Sequence, residues 1–263
     1  MEKLIASIAT KKAELDRLRA LVPLAMTNFD YAQNIELTYT SNAIEGNTLT
    51  LRETAEVIEH GITVGGKRLK EHLEAVDHYE AVLWMREIVR QGVALSENVV
   101  CELHRRIVMR SDATIAGVYS PHHRRIAGSA VIFPNPLKIP SLMESFGGWL
   151  GDTPLTPEAA FAAHFKLTAI HPFSDGNGRT ARLLMNMMLL RSGYVPVAVR
   201  PEDRRVYLAA LETASVREDI IPFQRFMHER LDSTLGEYLS AFREALPTPS
   251  ILRKTRDGDP PQP

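Results

Sequence analysis

The 263-residue sequence holds a single cysteine, Cys101, so no internal disulfide can staple the chain, and Val99, Val100 and Leu103 around it mark a buried, inert thiol. Long hydrophobic runs are absent as well. The most apolar stretch, Leu183 to Leu190, falls far short of the ~20 residues of a membrane span. Met1 to Val22 threads Lys3, Lys11, Lys12, Glu14 and Asp16 through its apolar positions, which excludes the uninterrupted core of a secretory signal. A cytoplasmic protein with no membrane partner is therefore expected. Charge of one sign is missing too: Lys and Arg number 31 against 32 Asp and Glu, a net charge of −1, so direct nucleic-acid binding is not indicated and any anion site must be local. There is no Gly-x4-Gly-Lys-Ser/Thr run, no His-x-x-x-His and no cysteine pair, which removes the P-loop and the usual transition-metal centres.

What remains is an ordinary globular composition, 44% hydrophobic and 24% charged, on a chain long enough to bury a sizeable core. Leu4, Ile8, Leu15, Leu18 and Val22 recur at helical spacing and form a stripe that needs a partner, either the body of the protein or a second copy. A second helix is expected around Tyr31 to Ala43. Thr50 and Glu53 read as a capping box, and the helix they open should stop at Gly61. Helices follow from about Leu69 to Val89 and from Ser96 to Met109. Between Ile115 and Pro136 the pattern changes to strand formers, Val118, Tyr119, Ile126, Val131, Ile132 and Phe133, separated by Ala127-Gly128-Ser129, and predicts a β-hairpin. Thr156-Pro157 starts a helix that runs to about Ile170, before Pro172. Another should span Asn177 to just before Gly193, with two more at about Glu202 to Ser215 and Pro222 to Ala245. The tail from Pro247 to Pro263 is proline-rich and nearly devoid of apolar residues, so it reads as disordered. The fold class is mainly α with a small β-hairpin.

Chemistry concentrates in His171-Pro-Phe-Ser-Asp175-Gly176-Asn177-Gly178-Arg179-Thr-Ala-Arg182. Two glycines let backbone approach a ligand closely, and the helix that follows aims its free N–H groups and positive dipole end at the loop. Arg179 and Arg182, three apart, add two guanidinium forks, so the segment suits a polyphosphate. Asp175 is a hard oxygen ligand of the kind Mg²⁺ takes on nucleotide phosphates, and His171, neutral near pH 7, can accept a hydroxyl proton. Phe173 is read as the anchor that fixes the loop on the core. His164, seven residues earlier, is read as a helix-packing histidine. His122-His123-Arg124-Arg125 is either a basic cluster or a solvated turn.

These residues resemble the motif of the Fic family, His-x-Phe-x-Asp/Glu-Gly-Asn-Gly-Arg-x-x-Arg, matched at every specified position, and the resemblance extends from about Thr40 to Phe226. It implies a Fic-type helical core with a hairpin flap and a protein adenylyltransferase that moves AMP from ATP to Ser, Thr or Tyr hydroxyls of a target protein. By that resemblance His171 is the catalytic base, Asp175 holds Mg²⁺, and Gly176, Asn177 and Gly178 form the anion hole. Arg179 and Arg182 would hold the outer phosphates, and Tyr207 would lie near the adenine. A target-docking flap would include Arg125, Ile126, Ala127, Val131, Ile132 and Phe133. Upstream, Ser41-Asn-Ala-Ile-Glu45-Gly46-Asn47 resembles the family's inhibitory motif, which implies that Glu45 pairs with Arg182 and blocks the γ-phosphate site.

The domains expected are an N-terminal helical region, 1–95, that includes the inhibitory motif at 41–47; a catalytic core, 96–246, with the flap at about 115–136 and the active-site loop at 171–182; and the tail, 247–263. A position often Asn in such proteins is Ser215 here, so the donor nucleotide stays open beside ATP. Two other functions stay open: a hydrolase that removes AMP with Glu45 orienting water, and a regulatory or toxin-antitoxin-like interaction module whose N-terminal helices could form a homodimer.

Overall fold

The computed structural model describes residues 1–19, 23–125 and 128–246. Val22 of the N-terminal stripe, Ile126 and Ala127 of the expected flap and the tail at 247–263 lie outside the described residues.

Ten α-helices build the described chain: α1 Glu2–Arg19, α2 Pro23–Ile44, α3 Leu51–His60, α4 Leu69–Arg90, α5 Glu97–Val108, α6 Ile139–Asp152, α7 Pro157–Ile170, α8 Asn177–Arg191, α9 Arg204–Arg217 and α10 Ile221–Ala245. None is long and apolar enough to cross a membrane. The α1 stripe finds its partner within the chain: Ile8 and Leu15 are buried, α1 packs along α10, and Lys11 meets Asp232 at 2.7 Å. Thr50 and Glu53 form the expected capping box of α3, and Gly61 closes it at φ 63°, a left-handed conformation that suits glycine. On α4 the fully buried Asp77 carboxylate accepts the N–H groups of Arg110 and Ser111, which terminates the stretch after α5.

At the centre lies α8. Nearly every residue from Asn177 to Leu189 is buried, and the helix packs against α7, α4 and α5. A helix enclosed on all sides is normally apolar all round. Here the polar positions Asn177, Arg179, Thr180, Arg182 and Asn186 are also inside, and each needs a partner. Asn186 finds one by exchanging two hydrogen bonds with the backbone of Val197, at 2.8 and 3.1 Å.

Two differences from the sequence reading stand out. The segment from Ile115 to Pro136 forms no strand among its described residues; the sole pairing there is an isolated antiparallel bridge between Tyr119 and Phe173. Its polar groups are satisfied by the helical body instead: the Ala130 N–H and Ser129 hydroxyl both donate to Glu212 on α9. The second difference is α6, which sequence spacing does not mark, because Pro140 and the three glycines Gly147, Gly148 and Gly151 lower its helix propensity. Packing overrides propensity: Met143, Phe146 and Leu150 are buried against α5 and α7.

Those glycines are not equivalent. A Cβ on Gly147 would stand 2.8 Å from the backbone nitrogen of Glu97, whereas one on Gly148 would meet nothing within 4 Å. Gly147→Ala should therefore lower unfolding free energy by about 1–3 kcal/mol through overpacking. Gly148→Ala should raise it by about 0.5–1 kcal/mol through lost backbone entropy of the unfolded chain. Chemical denaturation of the two variants checks this, and equal effects would contradict the α5–α6 contact.

Candidate active site

The loop between α7 and α8 is held open by residues that are not themselves reactive. His171 ends α7 in a left-handed conformation, φ 52° and ψ 55°, with its N–H on the Leu167 carbonyl. Pro172 follows and prevents the helix from continuing. The Asn177 side chain then clamps the turn from inside: its Oδ1 accepts the Phe173 N–H at 2.9 Å and its Nδ2 donates to the Phe173 carbonyl at 2.8 Å. Phe173 is wholly buried and lies flat on the His104 ring, 3.6 Å between centroids and 2° between planes.

His104 bridges two loops. Its Nδ1 accepts the Gly117 N–H at 3.0 Å, so Nε2 carries the proton and donates to the Asp175 carbonyl, also 3.0 Å away. Burial pushes its pKa down to about 4, so the ring stays neutral and keeps that tautomer.

Around this frame Glu45, His171, Gly178, Arg182 and Tyr207, with Ser129, Val131 and Phe133 from the segment after α5, line a cavity of about 290 Å³; Asp175, Gly176 and Asn177 are not on its wall. Phe133 stacks on the His171 ring at 4.0 Å. Burial depresses the His171 pKa to about 4, against opposing pulls from the Thr168 backbone and Glu45. The imidazole is thus neutral and free to take a proton.

Asp175 is held by its own set of partners. Its Oδ1 accepts the Gly176 N–H at 2.7 Å, while Oδ2 faces Arg179 at 3.5 Å and Lys70 at 3.8 Å. Burial raises the Asp175 pKa, but Arg179, the Gly176 N–H and Lys70 together outweigh it and leave the carboxylate below its ordinary value.

The two arginines have separate environments. Arg179, 2% exposed, is not on the cavity wall; its guanidinium points to Asp175, to Glu74 at 3.6 Å and to the Asn42 amide oxygen at 3.4 Å. Arg182 does line the cavity and is gripped by the end of α2. Its Nε donates to the Ser41 hydroxyl at 2.9 Å, and its Nη2 donates to the Ser41 carbonyl at 2.8 Å and to Glu45 Oε1 at 2.7 Å. The same Glu45 carboxylate sits against the first turn of α8, where a Cβ on Gly178 would collide with it. An anion-binding helix terminus thus already has an anion on it.

Tyr207 is 1% exposed on α9, with its hydroxyl 3.5 Å from Arg182 Nη1 and 2.8 Å from His164 Nε2. His164 is therefore more than the packing residue expected; it is fully buried and hydrogen-bonded into the site. Arg125 is exposed, outside the cavity, and the His122 to Arg125 run is a solvated turn rather than a clustered basic patch. Ile132 is 80% exposed. Cys101 is half-buried, its thiol 3.3 Å from the Tyr119 hydroxyl and its pKa raised by burial.

Sequence reasoning missed His104, Lys70 and Glu74, and it named Ser41 and Asn42 only as positions of the inhibitory motif, without their contacts to Arg182 and Arg179. His104 lies on the same buried face of α5 as Val100, Leu103 and Ile107, so only the depth of its burial distinguishes it.

Three histidines, His78, His104 and His164, are fully buried and neutral, each with a pKa below the ordinary 6.5: about 4 for His104, about 3 for His164, and well below for His78. The unfolded chain binds their protons first as pH falls. The stability they permit is complete above pH 6.5 and is lost as pH drops toward the folded values. Unfolding free energy should be flat above about pH 7 and fall below it by roughly 1 kcal/mol per pH unit for each histidine. The slope should be shallower in His104→Gln, measured by denaturant titration across that range; an unchanged slope would mean His104 is not held neutral.

The Fic/DOC family profile matches residues 94–189. Over 216 residues, 80% of its length, the chain is 38% identical to the protein adenylyltransferase Fic of Nematostella vectensis, of which it covers 49%. It spans about half the length of the curated relatives it matches. Among solved structures, a C. elegans Fic-1 fragment (amino acids 134–508) with a glutamate-to-glycine substitution superposes with a TM-score of 0.80 at 30% identity, covering 91% of this chain and 72% of that one. A Fic domain containing signaling protein from Bacteroides thetaiotaomicron gives 0.82 at 29% identity, with 90% and 97% covered. A shared helical frame, the complete loop motif and this depth of identity make the chain a member of the Fic/DOC family.

Proposed function

We propose that the chain transfers AMP from Mg-ATP to a hydroxyl side chain of a protein target and that Glu45 restrains the reaction. The observation that carries this reading is the single cavity that joins a neutral His171, the N-terminal turn of α8 and Arg182 to an apolar wall of Val131, Leu208 and Leu211. One end suits phosphates, the other a nucleobase. The curated relatives' name, protein adenylyltransferase Fic, supports the same activity.

In the step proposed, the target hydroxyl oxygen attacks the α-phosphorus, the bond from that phosphorus to the pyrophosphate oxygen breaks, and pyrophosphate leaves. The hydroxyl proton passes to the His171 ring. The backbone of Gly176, Asn177 and Gly178 at the start of α8 would cradle the phosphates, with Arg182 on the outermost one. Arg179 would act from behind, holding Asp175.

Asp175 fits a magnesium ion. Its side chain is about half exposed, and its Oδ2 has only long contacts to cations among the described residues, 3.5 Å to Arg179 and 3.8 Å to Lys70, which an ion would replace; a single hard oxygen ligand is what an ion carried on nucleotide phosphates requires. No group of three or more His, Cys, Asp or Glu is placed to hold a metal among the described residues, so the phosphates and water would complete its shell. The ion supplies charge neutralisation of the phosphates when bound.

The segment from Gly128 to Phe133, tied to Glu212, would act as the flap, with the target pairing along its backbone as an added strand. A second reading is favoured by Glu45 itself. Its carboxylate lines the same cavity as His171, where it could orient water toward an AMP-modified target.

With its Glu45 contact removed, Arg182 becomes free for a terminal phosphate, so Glu45→Gly should raise AMP transfer. A hydrogen bond to a charged group is worth about 1.5–3 kcal/mol, which converts to roughly a ten- to hundredfold gain. Adding Arg182→Ala should erase it. Transfer of labelled AMP from saturating Mg-ATP reads both. Equal activity of wild type and Glu45→Gly would reject restraint by this residue.

The pH profile tests His171. A base must be neutral, and a pKa of about 4 in place of 6.5 keeps it so well into acid. For the Glu45→Gly enzyme, kcat/KM should stay flat from about pH 8 down to about pH 5, with the acid limb below that, since loss of a nearby anion lowers the pKa further. A midpoint near 6.5 would show that His171 is solvated.

A further inference from the structure

Arg182 draws its partners from two sides of the fold. Ser41 and Glu45, at the end of α2, take Nε and Nη2, which is one edge of the guanidinium. The opposite corner, Nη1, has the Tyr207 hydroxyl, from α9, as its one hydrogen-bond partner among the described residues. Contacts along a single edge leave a planar group able to pivot about that edge. A third contact off the edge fixes the plane.

Tyr207 is itself immobile. Its ring is wedged among His164, Phe223 and Phe226, with centroids 5.7, 6.3 and 6.1 Å away. Its hydroxyl is then set by His164. A guanidinium can only donate, so Tyr207 Oη must present a lone pair to Nη1. The phenol proton is thereby directed to the other side, where His164 Nε2 accepts it at 2.8 Å. That acceptor role requires a neutral imidazole with its proton on Nδ1, and Nδ1 has no hydrogen-bond partner among the described residues. Shape alone does not require this, because a phenyl ring at position 164 could stack on Phe223 as His164 does without burying an unpartnered N–H. The imidazole's acceptor nitrogen is the feature a phenyl ring could not supply. Protonation would reverse the link, since a Nε2–H aimed at Tyr207 would turn the phenol proton toward Arg182. Burial and the Arg182 charge hold the His164 pKa at about 3, so this reversal is avoided near neutral pH.

We propose that His164 and Tyr207 form a bracket that holds the Arg182 guanidinium in its phosphate-binding orientation once Glu45 releases it. Both act as positioning residues: Tyr207 fixes the free corner of Arg182, and His164 fixes the direction of the Tyr207 hydroxyl. The bracket rests on the reading of Arg182 as a ligand of the nucleotide's outer phosphate. While Glu45 is engaged, the α2 contacts suffice to hold the guanidinium. When Glu45 is gone, only Ser41 and the bracket remain, so the effect of the bracket is largest in the released enzyme.

The test is calorimetric titration of the full chain with Mg-ATP in the Glu45→Gly background, which needs neither target nor transfer. Tyr207→Phe and His164→Phe should each weaken binding by about five- to tenfold. His164→Gln, whose amide oxygen can still accept from the phenol, should stay within about twofold of its parent. Tyr207→Phe combined with His164→Phe should be no weaker than either alone, because both cut the same link. In transfer assays the loss should appear in KM, with kcat at saturating Mg-ATP little changed. Unchanged affinity in Tyr207→Phe and His164→Phe, or losses that add in the double variant, would overturn the bracket while a loss in Arg182→Ala upholds the phosphate role. Undiminished binding in Arg182→Ala would overturn both. If His164→Phe does not fold, the contrast between Tyr207→Phe and His164→Gln decides.

Discussion

Two guanidinium groups buried in the first two turns of one central helix constrain the rest of this structure. Arg179 and Arg182 are 2% and 4% exposed, and a charge so deep is tolerated only with partners and hydrogen bonds around it. Those partners come from several elements at once: Ser41 and Asn42 near the end of α2, Glu45 just beyond it, Glu74 on α4, Asp175 in the loop and Tyr207 on α9. The pairing of the arginines thus ties the N-terminal helices to α8. The proposed restraint by Glu45 would need no dedicated device beyond this requirement. A carboxylate that satisfies a buried cation also occupies the place where an anionic ligand would satisfy it.

The loop depends on a second, neutral layer. His171 can face the cavity because Asn177, Phe173 and His104 absorb the strain of the turn, and each does so with groups that stay uncharged. The stacked His104 and Phe173 rings, with His104 hydrogen-bonded to the backbone of both Gly117 and Asp175, fix where the Asp175 carboxylate can point. The asparagine of the motif has its side chain fully committed to Phe173, so it is the backbone N–H groups of this turn that remain for a ligand. The proposed base and the proposed magnesium ligand thereby stay only four residues apart without neutralising each other.

Legibility in the sequence followed locality. The loop from His171 to Arg182 could be read because all its chemistry sits within one turn and one helix start, and the capping box of α3 because its partners are three residues apart. The α1 stripe declared an apolar face but not what covers it; only the packing on α10 answers that. His104 and Glu74 carry no local signature, since each becomes part of the site through a contact across 70 or more residues of chain, and the motif that holds Ser41 did not show its bonds to Arg182. The strand formers near Val131 carried a different kind of signal. Val131, Ile132 and Phe133 lie in no strand among the described residues, and the neighbouring Ser129 hydroxyl and Ala130 N–H bond to Glu212. For α6, three glycines argued against a helix, yet Gly147 is there because α5 comes too close for any side chain.

Electrostatic balance then says what a nucleotide must do to enter. With Glu45 in place, Arg182 has a carboxylate at 2.7 Å and Arg179 has Asp175 and Glu74 within 3.6 Å, so neither cation lacks an anion. An incoming triphosphate brings several negative charges to a site already neutral, and it gains little unless a charge leaves or a cation arrives with it. Displacement of Glu45, about 40% exposed and held by one charged contact, supplies the first. A divalent ion at Asp175 supplies the second, and would compete there with Lys70, whose ammonium stands 3.8 Å from the same oxygen. Arg179, enclosed by groups that do not line the cavity, has no such freedom. Of the two arginines only Arg182 lines the cavity, and the proposed restraint, bracket and phosphate site therefore all meet on that one residue.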